Sequence, residues 1–226
     1  MTAILHIDAS ARQQRSLSRD LSSRFVADWQ RLEPEAEVTY RDVGAHPPPF
    51  VSEAWIAAAF TDAHRRTDEQ NAVLAVSEAL IDELERADVI VIGTPMYNYG
   101  MPAALKAWFD QVIRVNRTFS FDLARGDWPL EPILAGKKLV VLSAKGEFGF
   151  ASGGMRESRN HLDPHIATCA HYLGVAEQHA IAIEYQEFGD ERHSASIAQA
   201  IAAATDLVER LAPASAAATQ QPCATG

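Results

Sequence analysis

Two apolar runs, Val89-Ile90-Val91-Ile92 and Leu139-Val140-Val141-Leu142, constrain this chain more than any other feature. Neither alternates with polar residues, so a strand made from either has no face to offer to water. Strands covered on both faces belong to parallel sheets, and parallel neighbours need a crossover connection, usually a helix. The sequence supplies such crossovers in order. Residues 3–7 read as a short buried strand closed by Asp8-Ala9-Ser10, and Leu17, Leu21, Phe25 and Trp29 follow at helical spacing. Residues 37–43 alternate as a second strand. Residues 54–61 predict a short helix, and residues 68–86 a long one with Val73, Val76, Leu80 and Leu84 on one face. Residues 88–94 form the third strand, and Pro102 fits the first turn of a helix whose apolar face is Leu105, Phe109, Val112 and Ile113. Residues 117–132 read as irregular and aromatic-rich, with Phe119, Phe121 and Trp128. Residues 139–143 are the fourth strand, and helices over 161–173 and 195–211 flank a last strand at 178–183.

Regular alternation of five strands with helices predicts an α/β domain, a doubly wound parallel sheet in three α/β/α layers. The flavodoxin-like strand order 2-1-3-4-5 suits this length. Residues 1–212 are expected to form that domain, and residues 213–226, rich in Ala, Thr and Gln, a disordered tail. The formal net charge of −10 argues against a general nucleic-acid binder, which needs a basic face. The two cysteines, Cys169 and Cys223, lie far apart and suggest neither a disulfide framework nor a thiolate metal site. The first eight residues carry no basic region, no apolar run approaches the roughly 18 residues of a membrane span, and a cytoplasmic location is expected.

In a parallel sheet the loops after strands one, three and four leave from one edge, where ligands bind such folds. The first, Ser10 to Ser18, brings hydroxyls at Ser10, Ser16 and Ser18, two arginines and the N–H groups of a helix start. That is a phosphate cradle without a Walker A or a Gly-x-Gly-x-x-Gly signature. The second, Pro95-Met96-Tyr97-Asn98-Tyr99-Gly100, offers backbone N–H groups at Asn98 and Tyr99, an amide that both donates and accepts, and flat side chains for a ring. In the third, Ser143-Ala144-Lys145-Gly146-Glu147, glycine permits close approach and Lys145 is placed to neutralise a polarised ring.

These residues resemble a known family, the FMN-dependent NADH:quinone oxidoreductases of the azoreductase type. The likeness rests on Asp8-Ala9-Ser10 with Arg15-Ser16-Leu17-Ser18, and on Pro95 to Pro102 followed by Leu105-Lys106 and Trp108-Phe109-Asp110. It continues through Arg117-Thr118-Phe119-Ser120-Phe121 and Leu134-Ala135-Gly136-Lys137-Lys138 to Tyr172-Leu173-Gly174. The resemblance implies non-covalent FMN, NADH as electron donor, a homodimer with sites at its interface, and ping-pong reduction of quinones and azo compounds. It further implies that Ser10, Ser16, Leu17 and Ser18 hold the FMN phosphate and that Met96, Tyr97, Asn98 and Tyr99 hold the ring. Ser143 and Gly146 would lie at the pyrimidine end, and Phe121 would reach over the ring of the partner subunit. The third loop departs from the family's usual Ser-Arg-Gly-Gly, which bears on substrate preference. No side chain is expected to be an obligatory acid or base.

Other classes remain as alternatives. A flavodoxin-like electron carrier or a flavin-binding regulator would share the fold and the acidic charge. A zinc site would use His161, His165 and His171, but no His-Glu-x-x-His motif joins them and Pro164 intervenes. A serine hydrolase would need the Gly-x-Ser-x-Gly elbow that this chain lacks.

Overall fold

The apolar runs lie side by side in the computed structural model, which describes residues 1–212. In chain order the elements are β1 (Ala3–Asp8), α1 (Leu17–Leu32), β2 (Glu37–Asp42), α2 (Glu53–Ala59), α3 (Asp68–Arg86), β3 (Val89–Pro95) and α4 (Ala103–Val112). Then come β4 (Phe119–Phe121), β5 (Leu130–Pro132), β6 (Lys137–Ala144), α5 (Asp163–Tyr172), β7 (Val175–Ile183) and α6 (Glu191–Leu211). The main sheet has the order β2-β1-β3-β6-β7, all neighbours parallel. This is the expected 2-1-3-4-5 order with a short β4–β5 hairpin inserted before the fourth long strand.

Strand alternation divides the core into two layers. Leu5, Ile7, Ile90, Ile92, Leu139 and Val141 meet Leu80, Ile81, Leu84, Trp108, Phe109 and Ile166 from α3, α4 and α5. Ile4, Val89, Val91, Val140 and Leu142 meet Leu21, Phe25, Trp29, Ala204, Leu207 and Val208 from α1 and α6. Each such aliphatic side chain stabilises the fold by about 1.5–3 kcal/mol through burial. The chain leaves β1 toward α1 on one layer and β3 toward α4 on the other. Strand order reverses between β1 and β3, so the loops there diverge and leave a crevice.

Several boundaries differ from the sequence expectation, each for a local reason. The buried stripe of α3 is Leu74, Ser77, Leu80, Ile81 and Leu84, whereas Val73 and Val76 are 38% and 43% exposed. Ser77 hides this stripe from an apolar count, because its hydroxyl is buried donating to the Gln111 carbonyl. Residues 117–132 contain the antiparallel β4–β5 hairpin, whose three-residue strands are too short to show a period. α5 begins at Asp163, so His161 precedes it and shares no helical face with His165. β7 begins at Val175 and α6 at Glu191, where the Asp190 side chain caps the helix by accepting from Arg192 N. Pro102 is the residue before α4 rather than part of its first turn. The tail expected at residues 213–226 lies outside the described residues.

Among the described residues no helix is long and apolar enough to cross a membrane. The position of the α3 stripe is directly testable. Ile81→Ala should lower unfolding stability in urea by about 2–5 kcal/mol, the usual cost of a cavity in a packed core. Val73→Ala should cost under about 1 kcal/mol in the same measurement.

Candidate functional site

The crevice beside β1 and β3 is a two-lobed cavity. Its first lobe, about 390 Å³, lies between the β1–α1 loop and the end of β3. Ser10, Ser16, Leu17 and Ser18 line it, with Arg12, Arg15, Pro95, Met96, Tyr97, Ala144, Gly146, Gln186 and Glu187. Ser16 precedes α1, yet its side chain caps no backbone N–H of the helix. The first N–H groups of a helix lack intrahelical acceptors, and here they share a lobe with three serine hydroxyls and two guanidinium groups. That donor set suits a phosphate.

A partly buried polar network holds this loop from behind. Arg19 Nη2 donates to the Ser10 carbonyl at 2.6 Å and to Asp42 Oδ1 at 2.6 Å, while Nη1 reaches Asp42 Oδ2 at 2.8 Å. Nη1 also donates to the Tyr40 hydroxyl at 3.0 Å, which donates to Asp8 Oδ2 at 3.0 Å. Ser22 donates to the other Asp8 oxygen at 2.8 Å. Burial of its hydroxyl, then the Asp8 charge, pushes the Tyr40 phenol up to about 12. For Asp42 burial opposes ionisation, but the Arg19 fork and the Ala45 N–H outweigh it and hold the carboxyl below its usual range. Gly44 completes the support, since a Cβ there would come within 2.1 Å of the Ser10 carbonyl oxygen.

The second lobe, about 360 Å³, joins the first at Met96, Gly146 and Glu187 and is otherwise lined by Asn98, Tyr99, Glu147 and Phe150. Met96 N donates to the Ala144 carbonyl at 2.9 Å, extending the β3–β6 ladder to the edge of the turn. Tyr97 and Gly100 then exchange two bonds of 3.0 Å around Asn98 and Tyr99, whose φ values are 48° and 67°. Two consecutive non-glycine residues in the left-handed region carry strain of about 1–2 kcal/mol each, the kind that persists where function over-determines the backbone. Among the described residues neither N–H of this pair has an acceptor. The Tyr97 hydroxyl turns back to accept from Ala11 N at 3.4 Å, tying this turn to the serine loop.

The third wall is a stitched pair of loops. Tyr185 N donates to the Glu147 carbonyl at 3.1 Å, Gln186 N to Lys145 at 3.3 Å, and Glu187 N to Gly146 at 3.0 Å. A Cβ on Gly146 would come within 2.6 Å of Glu187 Oε1, so any larger residue there would displace that carboxylate. Tyr99 donates through its hydroxyl to Glu147 Oε2 at 3.1 Å, and Arg156 Nε donates to Oε1 at 3.0 Å.

The nine residues Ser10, Ser16, Leu17, Ser18, Met96, Tyr97, Asn98, Tyr99 and Gly146 thus meet in this cavity. Ser143 does not. Side chains alternate along β6, so Ala144 faces the cavity and Ser143 faces a separate hollow of about 690 Å³ with Ala180, Ala182 and Gln199. Lys145 is not at the ring lobe either, because it is 3% exposed and its Nζ lies 2.7 Å from Asp163 Oδ2. Phe121 lies on the β4–β5 hairpin, 54% exposed and lining neither lobe. Ala144 and Phe150 lie in the third loop without having been singled out there, and Gln186 and Glu187 escape a sequence reading. A signal for the last two existed: they follow the fifth long strand, whose loop leaves from the same edge.

A phosphate-suited lobe opening into a flat, hydrogen-bonding lobe at the β1/β3 switch point defines a nucleotide-type cofactor protein of the flavodoxin class. Comparisons with known proteins agree: a family model described as a flavodoxin-like fold matches residues 2–208. FMN-dependent NADH:quinone oxidoreductase 2 of Colwellia psychrerythraea is 51% identical over 218 residues, covering 93% of this chain and all of that protein. The protein of the same name from Idiomarina loihiensis is 52% identical over 207 residues, covering 88% and 86%. An azoreductase structure from Bacillus anthracis aligns with a TM-score of 0.82 at 22% identity, over 93% of this chain and 100% of its own, which bears on fold alone. The chain belongs to the FMN-dependent NADH:quinone oxidoreductase family.

The network behind Ser10 acts only on the first lobe, which gives a selective test. Asp42→Asn should weaken FMN binding about tenfold, the size of one charge-assisted bond, yet leave riboflavin, which has no phosphate, within about twofold. Fluorescence titration of the apoprotein measures both, and equal losses would show that the network supports the whole site instead.

Proposed function

We propose that this chain is an FMN-dependent oxidoreductase that takes electrons from NADH and reduces quinones and azo compounds, working in the cytoplasm as a homodimer. The observation that carries the reading is the continuity of the two lobes across Met96, Gly146 and Glu187. The residues present fit FMN. Ser10, Ser16, Leu17 and Ser18 would hold its phosphate with Arg12 and Arg15, and Met96, Tyr97, Asn98, Tyr99 and Gly146 would hold its ring. When bound, the flavin supplies two-electron chemistry between a hydride donor and a flat acceptor.

The protein's own part is positioning and electrostatics. Asn98 and Tyr99 line the ring lobe, and their N–H groups, unpaired among the described residues, would favour negative charge on a ring without reorganising. The Tyr99 ring, packed 6.3 Å from the Phe150 ring, gives the lobe an apolar rim. Phe121 shares its hairpin region with Leu123, Trp128, Leu130 and Ile133, all exposed, and this patch fits burial against a second copy. In that arrangement Phe121 would cover the partner's ring lobe.

Purified protein should carry flavin absorbance, lose it on adding NADH without oxygen, and regain it with a quinone. Protein that takes up no FMN would overturn the assignment. Bleaching by NADH with no turnover on a quinone would favour an electron carrier or regulator, the roles the acidic charge also suits. Asn98→Ala should weaken FMN binding by about tenfold, and an unchanged dissociation constant would remove Asn98 from the site.

A further inference from the structure

The ring lobe carries an unbalanced charge. Its charged lining residues are Glu147 and Glu187. Glu147 is neutralised by Arg156 at 3.0 Å and accepts from Tyr99. Glu187 is exposed, and among the described residues its carboxylate enters no ion pair or hydrogen bond. Nearby cations are committed elsewhere: Lys145 to Asp163 at 2.7 Å and Arg192 to Asp190 at 2.6 Å. Arg12 and Arg15 line the phosphate lobe, which Glu187 also borders, and the FMN phosphate would claim them there.

The backbone that carries Glu187 is also held in place. Three backbone bonds stitch residues 185–187 to residues 145–147, and the carboxylate sits over Gly146, where the two lobes join. A flat acceptor entering the ring lobe therefore meets one uncompensated negative charge at close range. Covering the site with ligand removes water and lowers the local screening.

We propose that Glu187 makes this site select its acceptors by charge, favouring uncharged or cationic flat molecules over sulfonated or carboxylated ones. This rests on the oxidoreductase reading and adds the acceptor class to it. A unit charge facing a ligand anion across a partly screened lobe corresponds to about three- to tenfold in kcat/KM and in Kd.

The test uses the FMN-loaded protein, with a naphthoquinone and its sulfonated counterpart as acceptors. The same pair is titrated onto the oxidised protein for dissociation constants. The native protein should prefer the unsulfonated member in both measurements, and the preference should shrink at high salt. Glu187→Gln should reduce the preference about three- to tenfold, and Glu187→Asp should retain most of it. Glu209→Gln removes the same charge from an exposed position on α6 and serves as the control. Equal treatment of the two quinones by the native protein, or an equal loss of preference in Glu209→Gln, would overturn the proposal while leaving the oxidoreductase reading intact. Failure of the native protein to reduce even the unsulfonated quinone would overturn both.

Discussion

Everything in this molecule depends on the parallel pairing of β1, β3 and β6, three strands without a water-facing side. Their register places Ile4 beside Val89 and Ile90 beside Leu139, so apolar side chains stack in rows through both core layers. Because the strands run the same way, every loop at their carboxyl ends emerges together. The helices that cover the two faces then decide where those loops part. A ligand crevice is a consequence of covering a parallel sheet on both sides, before any functional residue is considered.

Upon that frame the two lobes are built by different physics. The first is supported from behind by partly buried charge: both terminal nitrogens of Arg19 are committed to Asp42, Tyr40 and the Ser10 carbonyl, so it braces the loop rather than entering the cavity. Its partial burial is tolerable because both terminal nitrogens have close acceptors, although Nε has none among the described residues. The second lobe is supported by strained backbone, in which Asn98 and Tyr99 hold an unfavourable conformation between two mutual hydrogen bonds of Tyr97 and Gly100. A charged network and a strained turn are alternative ways of fixing donors ahead of a ligand.

Much of this was legible in the residues. Unbroken apolar runs disclosed the sheet, and their alternation with helical spacing disclosed its order. The serine loop and the Tyr97–Gly100 turn stood out because hydroxyls, amides and glycine have few reasons to gather after a buried strand. What escaped did so for physical reasons. Whether Ser143 or Ala144 faces the cavity depends on the phase of one strand, and a shift of one residue reverses it. Lys145 was read by its charge, but Asp163, distant in sequence, claims that charge. The α3 stripe was misplaced because Ser77, a polar residue, is buried by partners on α4 and just beyond it. Glu187 belonged to a loop whose importance arises only from its pairing with another.

That pairing makes residues 145–147 and 185–187 a single unit split between two places in the chain. Each segment supplies backbone partners to the other, and Gly146 makes the room that the Glu187 side chain occupies above it. Loop exchange with a relative would therefore succeed only when both segments travel together. Variation at this wall of the site must be inherited in pairs, even though the two halves are separated by a helix and a strand.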